Sequence, residues 1–126
     1  MLESIRDDWP MMAYEPRSQD NRPFNVEVRP AGDHVVVAPV GELDIATAPE
    51  LEQKLRELAD AGWTHLVIDL RELDFLDSSG IRLLVARDQL ARGDGHDLTL
   101  IEGSAAIQRT LRLAGVAELL SFRADG

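Results

Sequence analysis

The pattern of apolar and polar positions predicts that the regular part of the chain begins with a β-hairpin. Residues 24–28 alternate between apolar and polar side chains, which is typical of an edge strand with one wet face. Residues 35–40 are apolar on both parities, as expected of a strand covered on both sides, with Pro39 tolerated only near its end. The turn at Ala31-Gly32-Asp33 predicts that these two strands pair in antiparallel fashion.

Helical and strand periods then alternate along the rest of the chain. Thr47-Ala48-Pro49-Glu50 predicts a capping box, and Leu51, Leu55 and Leu58 form the buried stripe of a helix that ends near Gly62. After it we expect a strand at 66–70, a helix from about 81 to Gly93 or Gly95, a strand at 98–101, a helix from Ser104 to Gly115 and a short final helix at 116–122. This β-β-α-β-α-β-α-α order predicts an α/β fold with a small, mostly parallel sheet of about four strands and an antiparallel edge strand.

The N-terminal residues differ in pattern from the rest. Residues 1–23 contain three prolines and a polar run with no sustained period, so we expect a flexible extension before a single domain at residues 24–126. Trp9, Met11, Met12 and Tyr14 leave open that this segment docks on a sheet face or on a partner.

Charge and composition narrow the classes of function. Acidic residues outnumber basic ones 23 to 13, and the net charge of −10 disfavours direct binding to nucleic acid or to an anionic membrane. The chain has no cysteine, which excludes disulfides and cysteine-ligated metals. The longest apolar run, residues 35–40, is far shorter than the roughly 20 residues that cross a bilayer, and the acidic N-terminus is unlike a secretory signal. We therefore expect a cytoplasmic protein.

Two segments with chemical potential are expected at one edge of the sheet, where loops leave the C-terminal ends of parallel strands. They are Gly41-Glu42-Leu43-Asp44 and residues 74–80. In the second segment Asp77, Ser78 and Ser79 would occupy the cap or first turn of a helix. Capping alone explains these residue types, but a phosphate-accepting serine is compatible with it, because unpaired backbone donors and the helix dipole would stabilise an added phosphate.

Hydrolytic chemistry has little support. Neither Ser78 nor Ser104 lies in a G-x-S-x-G elbow, and His34, His65 and His96 are expected at strand edges or on the surface rather than beside a nucleophile.

A phospho-accepting aspartate of the receiver-domain type is also disfavoured. Asp44, Asp69, Asp74 and Asp77 lie near strand ends, but the chain has one parallel strand-helix unit too few, and its single lysine, Lys54, lies within a helix. We interpret these four acids as solvated loop residues and expect no metal site. No phosphate-binding loop or dinucleotide motif is present.

Three motifs, taken in order, resemble the STAS domain of bacterial anti-sigma factor antagonists. They are Val40-Gly41-Glu42-Leu43-Asp44, Leu66-Val67-Ile68-Asp69-Leu70 and Phe75-Leu76-Asp77-Ser78-Ser79-Gly80. They are similar to the G-E-L-D loop, the buried strand and the D-S-S/T-G helix start of that family. The likeness runs from about Phe24 to Phe122, and its specificity comes from the ordered set rather than from any one motif.

The resemblance implies a switch protein that is not an enzyme and that uses no cofactor. In this family the unmodified antagonist binds an anti-sigma factor with serine kinase activity, and so releases the sigma factor. Phosphorylation of the serine after the aspartate ends that binding, and a serine phosphatase restores it. Carried over by position, the acceptor is Ser78 rather than Ser79, and the implied partner-binding residues are Glu42, Asp44, Asp77, Ser78, Ser79 and Gly80.

The charges of the segment suggest how such a switch would work. A phosphate added among Glu42, Asp44, Asp74 and Asp77 would introduce like-charge repulsion at any surface that these acids share. An alternative remains open, because some STAS domains are scaffolds or subunits of transport or stress complexes. Such a domain would dock through the helix at residues 79–92 without phosphorylation. Formation of a homodimer is also left open.

Overall fold

The computed structural model describes residues 23–123. The expected flexible extension, including Trp9 and Tyr14, lies almost entirely outside the described residues, as do the last three positions of the chain.

Five strands and three helices alternate within residues 23–123, as the sequence predicts in outline. In chain order they are β1 (Asn25–Ala31), β2 (His34–Leu43), α1 (Ala48–Asp60), β3 (His65–Asp69), β4 (Leu73–Leu76), α2 (Ser78–Asp94), β5 (Asp97–Ile101), α3 (Ala105–Leu113) and a 3-10 helix (Ala117–Leu119).

The main sheet has the strand order β1-β2-β3-β5. β1 pairs antiparallel with β2 from Asn25 opposite Val40 to Ala31 opposite His34, and the tight turn contains Gly32 at a φ of 74°. β3 runs parallel to both β2 and β5. The predicted hairpin, the edge position of β1 and the mostly parallel sheet are therefore confirmed.

A fifth strand, β4, was not predicted. It pairs in parallel with the last residues of β2, so that Glu42 lies opposite Phe75 and Leu43 opposite Leu76. Residues 74–76 were expected to form a loop before the next helix. The strand Leu73–Leu76 has only four residues, one of them an acid, and this is too short to show a strand period. The main path of the sheet has the expected four strands, and β4 adds a fifth that pairs with the end of β2.

Pro39 lies inside β2 rather than near its end. The strand continues to Leu43. Pairing with β3 extends to Val37 and pairing with β4 begins at Gly41, so Pro39 lies between the two parallel ladders. On its other side Pro39 lies opposite Val26 of β1, and neither of the two parallel ladders requires an N–H group at that position.

The core forms where the sheet meets α1 and α2. Val37, Ile68 and Leu100 lie side by side across three strands and are completely buried. Leu51 and Leu55 of α1 belong to the same cluster, together with Leu84 of α2. Burying each such side chain contributes about 1.5–3 kcal/mol, so this cluster holds both helices against the sheet.

Two details predicted for the helices are wrong, although α1 does begin directly after Thr47. Thr47 does not cap α1 with its side chain, because its hydroxyl donates to the carbonyl oxygen of Glu42 at 2.7 Å and accepts from the N–H of Asp44 at 2.9 Å. The expected final helix at 116–122 is reduced to the three-residue 3-10 helix. Its continuation is extended instead, since Ser121 and Arg123 hydrogen-bond to the backbone of Leu100 in β5.

Candidate functional site

The two segments expected at one edge of the sheet do meet there. β4 lies parallel to the end of β2, and the N–H of Asp77 donates to the carbonyl oxygen of Leu43 at 3.2 Å. Asp44 and Asp77 therefore follow directly from two paired strands, and the loop before α1 lies beside the start of α2.

Asp77 is the N-cap of α2. Its Oδ1 accepts hydrogen bonds from the N–H groups of Ser79 at 2.8 Å and of Gly80 at 3.3 Å. The next residue, Ser78, is the first of the helix and its side chain is exposed, whereas Ser79 is half-buried. The capping role and the accessible serine thus fall on two neighbouring residues.

The capping bonds change one expectation about the helix start. From the sequence alone, unpaired backbone donors were expected to stabilise an added phosphate. Two of those donors already bind the Asp77 carboxylate. A phosphate on Ser78 would share the positive end of the helix dipole, but it would compete with Asp77 for these two N–H groups.

Asp44 organises the loop between β2 and α1. Its half-buried carboxylate accepts from the N–H groups of Ala46 at 3.0 Å and Thr47 at 3.1 Å. Ile45 is held outward between these bonds, with 77% of its surface exposed. The position of Asp44 thus favours shaping of the loop. The exposed apolar side chain of this loop is that of Ile45, which none of the sequence motifs indicated.

Gly80 is buried, which changes the interpretation of its predicted role in partner binding. A Cβ atom at this position would lie 2.6 Å from Cδ1 of Leu76 and 2.8 Å from Cγ of Leu43. Glycine is therefore required for α2 to pack closely against the ends of β4 and β2. Its buried position favours a role in setting the position of Ser78, and its predicted contact with a partner stays a prediction.

An open groove of about 340 Å³ runs between α1 and α2, beside Ser78. Its apolar lining includes Ile45, Pro49 and Leu83. Glu52 and Arg82 are its two charged lining residues, and Ser79 lies at the end nearest the start of α2. The groove could receive an apolar side chain of another protein.

The remaining predicted residues differ in exposure. Glu42 is half-buried at the end of β2, and Asp74 is exposed in β4. Both belong to strands that end beside the start of α2, and the acidic rim around Ser78 stays a prediction.

Asp69 is not the solvated loop acid that was expected. It ends β3 with a side chain that is only 4% exposed, and Arg71 donates to it from Nε at 3.0 Å and from Nη2 at 2.9 Å. Arg29 of β1 approaches it at 3.4 Å. Burial alone would raise the pKa of Asp69, but the hydrogen bonds and charges of the two guanidinium groups outweigh it, so this pKa lies below its ordinary value.

The histidines lie away from the serine site, as expected. His65 begins β3 and approaches Asp97, the first residue of β5, with 2.7 Å between Nε2 and Oδ2. Both residues lie at the N-terminal ends of parallel strands, opposite the edge that carries Ser78. His34 approaches Asp33 in the hairpin turn, at 3.3 Å.

Residues 23–123 contain neither a cluster suited to a metal ion nor a helix suited to a membrane span. No group of three or more histidine, aspartate or glutamate side chains in this range is arranged to hold a metal ion. Nor does any helix of the range have the length and apolar character needed to span a bilayer.

Comparison with known proteins relates the chain to one family. The family profile described as "Mlab, STAS domain" matches residues 26–121. The chain is similar to the anti-sigma-B factor antagonist of Bacillus subtilis strain 168, with 29% identity over 101 residues, which cover 80% of this chain and 92% of that protein.

Solved structures give the same relationship. The crystal structure of an anti-sigma factor antagonist from Mycobacterium paratuberculosis superposes with a TM-score of 0.74 at 27% identity, covering 83% of this chain and 91% of that one. The phosphorylated form of the Bacillus cell fate determinant SpoIIAA gives a TM-score of 0.60 at 21% identity, covering 81% and 92%. At that identity the second likeness is one of fold alone.

Proposed function

The chain belongs to the STAS domain family, and from this premise we propose that it is an anti-sigma factor antagonist regulated by phosphorylation of Ser78. In the unmodified state it binds an anti-sigma factor with serine kinase activity and releases the sigma factor, in the cytoplasm. Phosphorylation ends this binding, and a serine phosphatase restores it. The names of the Bacillus subtilis and Mycobacterium paratuberculosis relatives support the general role.

One observation carries the finer part of the proposal, which is the exposure of Ser78 at the first position of α2. A kinase must reach the hydroxyl oxygen and align it with the phosphate that is transferred. An exposed serine whose backbone is held by the Asp77 cap satisfies both needs, because it is accessible and its position is fixed by the helix.

The modification itself is a phosphoryl transfer from ATP. The Ser78 Oγ attacks the γ-phosphorus, the new O–P bond forms as the bond to the β-phosphate oxygen breaks, ADP leaves, and the hydroxyl proton passes to a base of the kinase or to water. The antagonist supplies only the nucleophilic oxygen, so it is a substrate and not an enzyme in this step.

Local electrostatics explain why a phosphorylated site would lose its partner. The phosphate brings about −1.5 to −2 charges to an edge that already carries Glu42, Asp44, Asp74 and Asp77. A partner surface that fits the neutral serine would then have to bury a dianion, and this weakens binding. A change of about 1.4 kcal/mol is tenfold in affinity, so no rearrangement of the fold is needed.

Binding variants test the proposal directly. Ser78→Ala should capture the same partner from lysate as the unmodified protein, whereas Ser78→Glu should bind it at least about tenfold more weakly. Glutamate is well tolerated in the first turn of a helix, so weak binding would not reflect unfolding. The matched control is Ser121→Glu, which adds the same charge at another exposed serine and should bind normally.

Two results would contradict the proposal. Equal binding of the partner by Ser78→Ala and Ser78→Glu would show that charge at position 78 does not control binding. Absence of phosphate on Ser78 after incubation with lysate and ATP, as mapped by mass spectrometry, would favour the alternative of a STAS scaffold or a transport or stress-complex subunit. Capture of a small ATP-binding kinase would support the antagonist role.

A further inference from the structure

Arg82 lies one helical turn beyond Ser78 on α2. We propose that Arg82 is the cation that pairs with the phosphate of phosphorylated Ser78, and that this pairing carries the effect of the modification into the groove between α1 and α2. The inference rests on the proposed phosphorylation and names how the modified site is stabilised and read.

The spacing of the two residues brings their side chains together. Residues four apart in a helix are surface neighbours, and an anion placed N-terminal to a cation is the favourable order. Ser78 and Arg82 are both exposed on α2. A phosphoserine side chain and an arginine are long enough to meet across one turn, where the guanidinium can donate two hydrogen bonds to phosphate oxygens.

The first turn of α2 has few free N–H groups to bind a phosphate on Ser78, so a cation nearby would stabilise it. A phosphate at a helix N-terminus usually binds free N–H groups of the first turn. Here the N–H groups of Ser79 and Gly80 already donate to the Asp77 carboxylate. The phosphate of Ser78 therefore depends more strongly on a side-chain partner.

Most other cations of residues 23–123 are engaged elsewhere, whereas no carboxylate of this range lies within ion-pair distance of Arg82. Arg29 and Arg71 bind Asp69, Arg92 binds Asp88, Arg56 approaches Glu52, and Lys54 approaches Glu57. Of the two α2 arginines without such a carboxylate, Arg82 and Arg87, Arg82 is the one that lies a single turn from Ser78.

Pairing of Arg82 with the phosphate would also change the charge of the groove between α1 and α2. Glu52 and Arg82 are its two charged lining residues, so the unmodified groove has one charge of each sign. Once the Arg82 guanidinium is held by a phosphate, the remaining charge of the lining is that of Glu52. A partner that contacts both Ser78 and the groove would then meet new negative charge at the serine and lose a cation in the groove.

Phosphorus NMR on homogeneous phosphoprotein tests the pairing without any partner or kinase. Phosphoserine is installed at position 78 by amber suppression, and the second pKa of the phosphate, ordinarily about 6, is measured by ³¹P titration. Arg82→Gln should raise this pKa by about 0.2–0.4 units, the shift that corresponds to a helical ion pair. Arg82→Lys should restore part of the difference, and 1 M salt should diminish it.

The matched control is Arg87→Gln, which removes the same charge nine residues along α2, about 13 Å from Ser78. It should change the pKa by less than 0.1 unit, because that distance exceeds the Debye length at about 0.1 M salt. The neighbouring acids are the same in both variants, namely Glu42, Asp44, Asp74, Asp77 and Glu52. Equal pKa values in the two glutamine variants would overturn the pairing.

Failure of this inference is distinguishable from failure of the proposed function. The titration uses phosphoserine installed at position 78, so it gives an answer whether or not a cellular kinase modifies Ser78. If cells never phosphorylate Ser78, the proposed function fails although the pKa difference stands. If Ser78 is phosphorylated in cells but the two glutamine variants titrate alike, Arg82 has no part in the switch.

Discussion

Asp77 and Ser78 are adjacent residues with separate tasks. The Asp77 carboxylate holds the first turn of α2, and the Ser78 side chain points into solvent. Asp44 does for the neighbouring loop what Asp77 does for the helix, through bonds to Ala46 and Thr47. Acids that were expected to contact a partner therefore also shape the backbone, so replacing them would change both shape and charge.

Asp69→Asn removes a buried carboxylate that binds Arg71 and Arg29. We expect a loss of about 1–2 kcal/mol in the free energy of unfolding at pH 7, modest because both guanidinium groups are half-exposed. The folded pKa lies below the ordinary value of 3.8, so this stability is present above pH 3.8 and is lost as the pH falls through the folded pKa.

Urea denaturation of both proteins at several pH values measures this effect. The difference between wild type and Asp69→Asn should be constant from pH 7 to about 5 and shrink below the ordinary pKa. The exposed residue Asp60 supplies the control, because Asp60→Asn should change stability by less than about 0.5 kcal/mol. A difference that grows on acidification would contradict the role given to Asp69.

At the scale of the element, α2 is the part that brings the site together. Gly80 allows its first turn to lie against Leu43 and Leu76, while Asp88 and Arg92 form a bond of 2.7 Å near its other end. The Arg92 Nη2 also donates to the carbonyl oxygen of Leu119, at 3.4 Å. One helix therefore contacts the strands that end beside Ser78 and the C-terminal segment of the domain.

Two glycines of α2 give a paired prediction. Gly80→Ala should destabilise the protein by about 1–3 kcal/mol, because a Cβ atom at 2.8 Å from Cγ of the buried Leu43 forces that side chain or the helix to shift. Gly93→Ala should instead stabilise it by up to about 0.5–1 kcal/mol, because nothing lies within 4 Å and alanine favours the helix. Thermal melts of both variants measure the two signs, and a stabilised Gly80→Ala would disprove the close contact.

At the scale of the whole molecule, charge and apolar surface have different distributions. The chain has a net charge of −10, whereas the groove beside Ser78 is largely apolar and is flanked by the exposed Ile45. A partner that fits this surface should offer an apolar side chain to the groove and basic residues around it.

Salt dependence of association tests that arrangement with the captured partner. The association rate constant should fall about tenfold or more between 50 and 500 mM salt, because screening removes the long-range attraction of a strongly acidic protein. Ile45→Ala should act differently, raising the dissociation rate with little change in the salt dependence. A rate constant that does not respond to salt would show that the net charge does not guide docking.

The local pattern of the sequence by itself determines much of the fold. The hairpin at Gly32, the alternation of strands and helices, and the position of Ser78 in the first turn of a helix all follow from periods and caps spanning a few residues. Such signals depend on nearest neighbours along the chain, which is why they could be identified from the sequence. The resemblance to STAS domains rests on the same local motifs.

Contacts between distant parts of the chain were decided only by the tertiary structure. Arg29 and Asp69 are 40 positions apart, β4 becomes a strand through pairing with β2, and the groove exists because Ile45 and Arg82 border the same space. Gly80 is buried for the same reason, since Leu43 and Leu76 reach it from two other elements. These features depend on which faces meet after folding, and the period of a short sequence window does not show which faces will meet.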